Sequence, residues 1–312
     1  MNDNAIDVQD LVLSFKNFKV LRGLNLKVRS GSAMALLGEN GAGKTTTLRA
    51  LVNIYEPDSV KGKILGHELG FDGAELFQKI GYVSENQALP YHWTMTRLLN
   101  YLRPQYPTWD QEFCETLLEE FELPMNRKIG HFSRGMMMKA SLVSSMAYRP
   151  ELLILDEPFS GLDVLVREEL IDAILDLMDG GDWTILLSSH DVHEVERLCD
   201  SVTVLDRGQA TISESLDSMQ SRFRRCHVTV KSPIEISQFP EDWLLLEQLG
   251  ERNWSFVETQ YQEDNSPARW VEVFGELEGG ESQSLSLKEI YLTLAKQKKR
   301  IRKAARKLAA MA

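Results

Sequence analysis

The stretch Gly38-Glu39-Asn40-Gly41-Ala42-Gly43-Lys44-Thr45-Thr46 follows directly on the apolar run Ala33-Met34-Ala35-Leu36-Leu37. A buried strand is therefore expected to empty into a glycine-rich loop that opens a helix. The order matches the phosphate-loop pattern G-x-x-x-x-G-K-[ST], the Walker A motif, in the strand-loop-helix setting that gives the pattern its meaning. The three glycines let the backbone curl until several N–H groups point at one spot, and the positive end of the helix dipole adds to them. Such a loop suits the phosphates of a nucleotide. Gly38, Asn40, Gly41, Gly43 and Thr46 are expected to shape it, Lys44 to neutralise the β- and γ-phosphates, and Thr45 to ligate Mg²⁺. A chance glycine-rich turn would also have to supply the lysine and the hydroxyl at the required places.

Around this loop lie 312 residues, 43% of them hydrophobic, enough for one large domain with a substantial core plus something smaller. No uninterrupted apolar run approaches the ~20 residues needed to cross a bilayer, and Met1-Asn2-Asp3-Asn4 lacks the basic-then-apolar form of a signal peptide. A cytoplasmic protein is expected. Cys114, Cys199 and Cys226 are odd in number and show no paired spacing, so they read as reduced thiols rather than a disulfide framework or a zinc site. The net charge of −11 hides an asymmetry: Lys296 to Ala312 carries eight basic residues and no acid, which leaves 27 basic against 46 acidic residues, or −19, for the rest. The body is thus a poor candidate for nucleic-acid binding, and no nucleic-acid partner is expected.

Short β-branched runs at Val8 to Phe15 and Leu24 to Val28, separated by the turn residues Arg22-Gly23, read as an antiparallel edge feeding a parallel core. Helical patterns dominate from about Met95 to Ala147, including Gln111 to Phe121 and Ser133 to Ala147. Buried-strand candidates follow at Leu152 to Leu155, Thr184 to Ser188 and Ser201 to Leu205. Strands alternating with helical runs imply an α/β core with a helical insertion. After Ile212 the texture changes. Arg225 to Lys231, Trp254 to Gln260 and Arg269 to Phe274 read as half-buried strands, split by the turn-rich Glu263-Asp264-Asn265-Ser266-Pro267.

Leu152-Leu153-Ile154-Leu155-Asp156-Glu157 is four apolar residues followed by two acids, the Walker B form. A buried strand ending this way places carboxylates at the sheet's carboxyl edge, beside the phosphate loop. Asp156 would hold Mg²⁺, and Glu157 would polarise an attacking water. An acid pair at a strand end could also merely cap the next helix. Further segments set the context: Phe132-Ser133-Arg134-Gly135-Met136 opens the helix leading to Walker B, Ser160-Gly161-Leu162-Asp163 follows it, and Ser188-Ser189-His190 closes the next strand.

In this order of motifs, over about residues 5 to 220, the chain resembles the nucleotide-binding (ATPase) subunits of ATP-binding cassette (ABC) transporters, the bacterial single-cassette efflux type. The resemblance implies an α/β P-loop NTPase cassette, with a mixed sheet core and a helical subdomain, joined to a small β-rich C-terminal accessory domain. The expected organisation is a cassette at 1–220 with a helical insertion at about 86–150, an accessory domain at 221–290 and a basic C-terminal helix at 291–312. Residue by residue, it implies that Phe15 stacks on adenine, that Ser133 and Gly135 serve the γ-phosphate of ATP held by the opposite protomer, and that Asp163, in the D-loop segment Ser160 to Asp163, belongs to the nucleotide-binding residues. His190 would hydrogen-bond the γ-phosphate. His190 and His193 could instead suggest a metal pair on a helix, but a third ligand and a zinc motif are lacking. His67, His92, His131 and His227 read as surface or packing residues.

Two segments depart from the family pattern. Where members carry a glutamine after Ile80-Gly81-Tyr82-Val83-Ser84, this chain has Glu85, with Gln87 two places on; Glu85 could still accept hydrogen bonds or approach Mg²⁺. The signature segment has Arg134 at its first glycine position and Met136 at its last, and Arg134 could add charge complementarity to phosphate or simply be a solvated helix-start side chain.

The resemblance further implies ATP and Mg²⁺ as cofactors and a second cassette, identical or related, facing this one head to tail. It also implies separate transmembrane permease subunits, with this chain peripheral on the inner face of the cell membrane and docked to them near Glu85 to Trp109, where Tyr91, Trp93, Met95, Tyr101 and Trp109 are candidate anchors. Other readings are a ribosome-associated ABC ATPase, a DNA-repair ATPase and an ATP-dependent clamp with little turnover. The first would normally carry two cassettes and the second a long coiled coil. The tail from Leu294, with Ile301, Ala305, Leu308 and Ala312 at helical spacing among basic residues, reads as a basic amphipathic helix suited to an anionic membrane surface or, more plainly, as a solvated terminal helix.

Overall fold

Alternating buried and exposed side chains run through β1 (Asn4–Phe15) and β2 (Phe18–Arg29), which pair antiparallel from Asn4↔Arg29 to Phe15↔Phe18. This is a computed structural model, and it describes residues 4–70, 73–86, 89–179, 183–235 and 239–311; Gln87 lies outside them. The hairpin reverses at Lys16-Asn17, with Lys16 in the left-handed region (φ 55°). Arg22-Gly23, expected to be a turn, instead lies inside β2, where Gly23 takes φ 83° beside an irregularity in the register. A glycine inside a strand marks such a bulge as readily as a reversal.

The next strand, β3 (Ala33–Leu37), is buried throughout and leads into α1 (Lys44–Leu51). β4 (Ser59–Ile64) and β5 (His67–Glu68) complete an antiparallel sheet in the order β2-β1-β4-β5. After α2 (Ala74–Phe77) and β6 (Ile80–Ser84) come three helices, α3 (Met95–Leu102), α4 (Gln111–Glu120) and α5 (Arg134–Met146), started respectively by Thr94, Asp110 and Ser133 as side-chain caps. β7 (Leu152–Asp156), α6 (Val164–Asp179), β8 (Thr184–Ser189), α7 (Val192–Leu198), β9 (Ser201–Asp206) and β10 (Gln209–Ser215) finish the cassette. Its second sheet runs β10-β9-β3-β8-β7-β6, and β9, β3, β8, β7 and β6 are parallel. Buried on both faces, β3, β7 and β8 expose no side chain, which is why they read as continuous apolar runs. This is the expected mixed α/β core with a helical subdomain.

The described residues fall into two compact units, divided between Ser213 and Glu214. The second contains α8 (Leu216–Arg222), β11 (Arg224–Val230), β12 (Trp243–Gln248), β13 (Asn253–Glu258), α9 (Ser266–Phe274), β14 (Leu277–Ser284) and α10 (Leu287–Met311). Its antiparallel sheet has the order β12-β13-β11-β14. Arg269 to Phe274, expected to be a strand, is the helix α9. Pro267 occupies its first turn, and Ser266, Trp270 and Phe274 recur every four residues on the buried face. Trp270 and Phe274 join Trp243, Trp254, Phe256 and the inward side of β11 in the core. The floor of that core is Glu258, fully buried and bonded to Ser266 Oγ (2.9 Å), Arg269 Nη1 (2.6 Å) and Trp270 Nε1 (3.0 Å). No described helix is long and apolar enough to cross a membrane.

Candidate nucleotide site

Parallel register brings the chemistry to one edge. Leu37 pairs with Ser189, Asp156 with Ser188 and Ser84 with Asp156, so the carboxyl ends of β3, β8, β7 and β6 lie side by side. Loops leaving that edge share a crevice, the usual ligand position of an open α/β sheet.

Gly43 starts α1 from the left-handed region (φ 110°), a conformation that strains any residue with a Cβ. A Cβ at Gly38 would lie 2.7 Å from the Leu205 carbonyl oxygen, so the loop can hug β9 only because that side chain is absent. The Lys44 side chain curls back into the loop. Buried to 6% exposure, it donates to Gly38 O (2.7 Å) and pairs with Glu157 Oε1 (3.0 Å).

Asp156 is equally enclosed, at 3% exposure. Its Oδ1 accepts from Thr45 Oγ1 (2.9 Å) and Ser188 Oγ (2.8 Å), and its Oδ2 from Tyr82 OH (3.4 Å). Burial, reinforced by the Asp156 carboxylate, holds the Tyr82 phenol above its ordinary pKa, so it remains a donor. One residue on, Glu157 sits in the left-handed region (φ 51°), a strain of roughly 1–3 kcal/mol that surrounding bonds must hold. Its N–H donates to Ser188 O (3.2 Å) and Ser188 Oγ (3.0 Å), and its Oε2 stands 2.7 Å from His190 Nδ1.

A cavity of about 510 Å³ opens on these groups. Of the residues singled out in the sequence, Asn40, Gly41, Gly43, Lys44, Thr45 and Thr46 line its loop side, and Glu85, Glu157 and His190 the other. Gly38 and Asp156 stand behind, holding Lys44 and Thr45. Phe15 is not on the wall. It packs edge to face on Tyr55 (5.0 Å between centroids), while its hairpin partner Phe18, with Val20, lines the cavity. Sequence reading missed Phe18, Ser160 and the Ser188 hydroxyl as site groups. The Phe15/Phe18 pair flanking a two-residue turn was the signal for the first.

Ser133, Gly135 and Asp163 do not face the cavity either. The Ser133 hydroxyl caps α5 by accepting from Met136 N (3.2 Å), and Asp163 Oδ1 accepts from Val166 N (3.0 Å) at the start of α6. Gly135 lets these two helix starts approach: a Cβ there would lie 2.7 Å from Val166 Cγ1. Glu85 Oε1 accepts from Arg134 Nη2 (2.9 Å) and Ser160 Oγ (3.0 Å).

The residues present fit a nucleoside triphosphate with Mg²⁺. A buried lysine and left-handed loop glycines suit phosphate, and the Thr45 hydroxyl on a buried carboxylate offers the oxygen donors a hard cation takes.

A parallel sheet carrying a G-x-x-x-x-G-K-T loop, a buried aspartate and a glutamate beside it defines a P-loop nucleoside triphosphatase domain. The family model described as ABC transporter matches residues 21–160. The ABC transporter ATP-binding protein YtrB of Bacillus subtilis (strain 168) is 30% identical over 251 residues, 78% of this chain and 84% of its own length. YhaQ of the same organism, an uncharacterized ABC transporter ATP-binding protein, is 33% identical over 236 residues, 73% of this chain and 76% of its own. A solved structure of an ATP-binding subunit of an ABC transporter superposes with a TM-score of 0.63 at 30% identity, covering 70% of this chain and 92% of that one. The chain belongs to the ATP-binding subunits of ABC transporters, with a bacterial-type cassette. ATP binding and hydrolysis with Mg²⁺ is the general function of that cassette.

Proposed function

We infer that this chain hydrolyses ATP to drive transport through separate permease subunits, on the cytoplasmic face of the membrane. The observation that carries the hydrolytic part is the Glu157 carboxylate, gripped by Lys44 at 3.0 Å and by His190 at 2.7 Å. A carboxylate so fixed on the cavity wall is suited to accept a proton from an attacking water. Lys44 and the loop N–H groups would hold the phosphates, and Thr45 with Asp156 would hold Mg²⁺, which when bound neutralises phosphate charge. Phe18, with Phe15 beside it, offers a flat apolar face to adenine. Phosphate release from ATP by the purified chain tests this reading, and none at saturating ATP and Mg²⁺ removes it.

Ser133, Gly135 and Asp163 are assigned to ATP held by a second cassette, identical or related. The segment after Asp163 supports this, because Val164 and Leu165 are 70% and 76% exposed, unusual for such side chains on a face with no partner. For the permease, the support is an apolar groove of about 320 Å³ between the sheet and the helical insertion, walled by Ile54, Phe77, Leu89, Leu98, Leu102 and Tyr106. A short amphipathic helix of a permease loop fits such a groove. Of the anchors expected nearby, Tyr91 and Tyr101 are exposed, but Met95 is wholly buried and belongs to the core. A membrane protein that co-purifies with the chain, and is lost on Ile54→Asp at the 53% exposed rim of the groove, tests the docking.

Contact with anionic lipid is assigned to the end of the basic helix, since Arg302, Lys303, Arg306 and Lys307 continue it past the Arg300–Glu247 ion pair. Removing residues 302–312 is expected to weaken binding to anionic vesicles in a salt-sensitive way while sparing ATP turnover. Unchanged vesicle binding removes the lipid role.

A further inference from the structure

Two of the three residues that depart from the family pattern meet in space. Glu85 and Arg134 are 49 positions apart, yet Arg134 Nη2 donates to Glu85 Oε1 at 2.9 Å, and Ser160 Oγ donates to the same oxygen at 3.0 Å. The guanidinium also lies over Gly161: a Cβ there would fall 2.3 Å from Arg134 Nη1, and Gly161 takes φ 65°. One carboxylate thus ties together the wall of the nucleotide cavity, the start of α5 and the turn after Glu157. The Glu85 N–H adds a bond to the Asp156 carbonyl (2.9 Å).

Electrostatics explain why the two residues belong together. Arg134 is the first residue of α5, where the helix dipole disfavours a cation, and the first turn holds no acid. Glu85 supplies that acid from another segment. The pair is half-exposed, with side chains 51% and 38% accessible, so it is a weak tie of a kind that shifts equilibria roughly fivefold or less. A phosphate offers Arg134 a more highly charged acceptor that can be gripped by two N–H groups.

We propose that Glu85 and Arg134 are positioning residues that act as a latch. Their ion pair holds the signature segment Ser133–Gly135 against the chain's own cavity wall. When two copies close on ATP, the pair opens and Arg134 passes from the Glu85 carboxylate to phosphate. The opening step rests on the ATP-dependent pairing of two cassettes inferred above. It requires the two partners of a single ion pair to have opposite effects. Glu85 restrains the signature segment, so its loss favours closure, whereas Arg134 contributes to the closed state, so its loss opposes it. A pair that only supports the fold moves both the same way.

The experiment has two arms, both on the full chain. Without nucleotide, amide exchange is followed at the start of α5; Glu85→Gln and Arg134→Gln are each expected to speed it several-fold, with Arg134→Lys near the parent. Unchanged exchange in Glu85→Gln overturns the latch, whatever the chain does with ATP. In the second arm, in a Glu157→Gln background, the ATP concentration that gives half dimer is measured by sedimentation. Glu85→Gln is expected to lower it two- to fivefold, Arg134→Gln to raise it, and the double variant to follow Arg134→Gln. Shifts in the same direction overturn the opening step. A Glu157→Gln parent that stays monomeric at saturating ATP removes the two-cassette reading, and the opening step with it, but leaves the first arm standing.

Discussion

His190 Nδ1 stands 2.7 Å from Glu157 Oε2, so the histidine that closes β8 orients the carboxylate that follows β7. The contact has a direct consequence for catalysis. Glu157→Gln keeps the shape of the side chain but cannot accept a proton, so ATP binding is expected to persist while turnover falls at least a hundredfold. His190→Ala, which releases the carboxylate rather than removing it, should cost less, about 10- to 100-fold in kcat. Steady-state phosphate release checks both, and parent-like turnover in Glu157→Gln would take the proton-accepting role away from that residue.

Lys44→Ala acts on binding first. It deletes the charge facing the phosphates and leaves Glu157 with His190 alone. Nucleotide affinity should drop by a factor of ten or more, and the chain should also lose about 1–3 kcal/mol of stability, because a buried charged partner is left under-satisfied. Titration with a fluorescent nucleotide analogue decides it; parent affinity would contradict the phosphate-loop assignment.

Glu85→Gln restores the residue usual in the family. ATPase activity is expected to stay within several-fold of the parent, a change of ~1 kcal/mol in the barrier. A hundredfold loss, read in kcat rather than KM, would give the carboxylate a chemical duty of its own.

In the second unit, Glu258→Ala strips three donors of their acceptor at a site with no solvent. Arg269 is part-exposed and keeps Asp242 (2.7 Å), but the buried Ser266 hydroxyl and Trp270 N–H lose their acceptor, at about 1–3 kcal/mol each. Trp270 and Trp243 pack in the core beside it, so loss of their near-ultraviolet signal at moderate urea should accompany the change, while the parent keeps it.

Acid should act on that unit through Glu214. Burial pushes its carboxyl up, but hydrogen bonds from the Arg222 guanidinium and the Ser218 hydroxyl outweigh burial and hold it below its ordinary value of 4.5. A carboxylate depressed in the folded chain contributes stability that is fully present above that ordinary value and is lost as pH falls through the folded one. Arg222→Ala should therefore destabilise the chain at neutral pH, and the gap to the parent should shrink below pH 4.5. Thermal melts across that range test the sign; a gap that widens in acid would refute it.

The cassette was legible where local spacing and chemistry coincide. The phosphate loop needs its glycines, lysine and threonine at fixed offsets, and β7 had to be apolar up to Asp156 because both its faces are covered. Longer-range relations left no local trace. The Glu85–Arg134 pair spans 49 positions and appeared in the sequence only as two separate anomalies. In the second unit, Arg269 to Phe274 showed apparent alternation, but the spacing of four through Ser266, Trp270 and Phe274 is what the core uses. β12 was missed because a three-leucine run at a bulge shows no period of two. β14 was missed because almost every side chain on it faces water.

That last strand bears on how crowded chains behave. β14 is an edge of its sheet, and an edge presents unpaired backbone groups to which any other extended chain can add. Its sequence, Leu277-Glu278-Gly279-Gly280-Glu281-Ser282-Gln283-Ser284, places two carboxylates and two glycines along that margin. Like charges would face each other if two such edges met, and the glycines are poor strand formers. The feature that hid the strand from sequence reading thus protects the protein against aggregation.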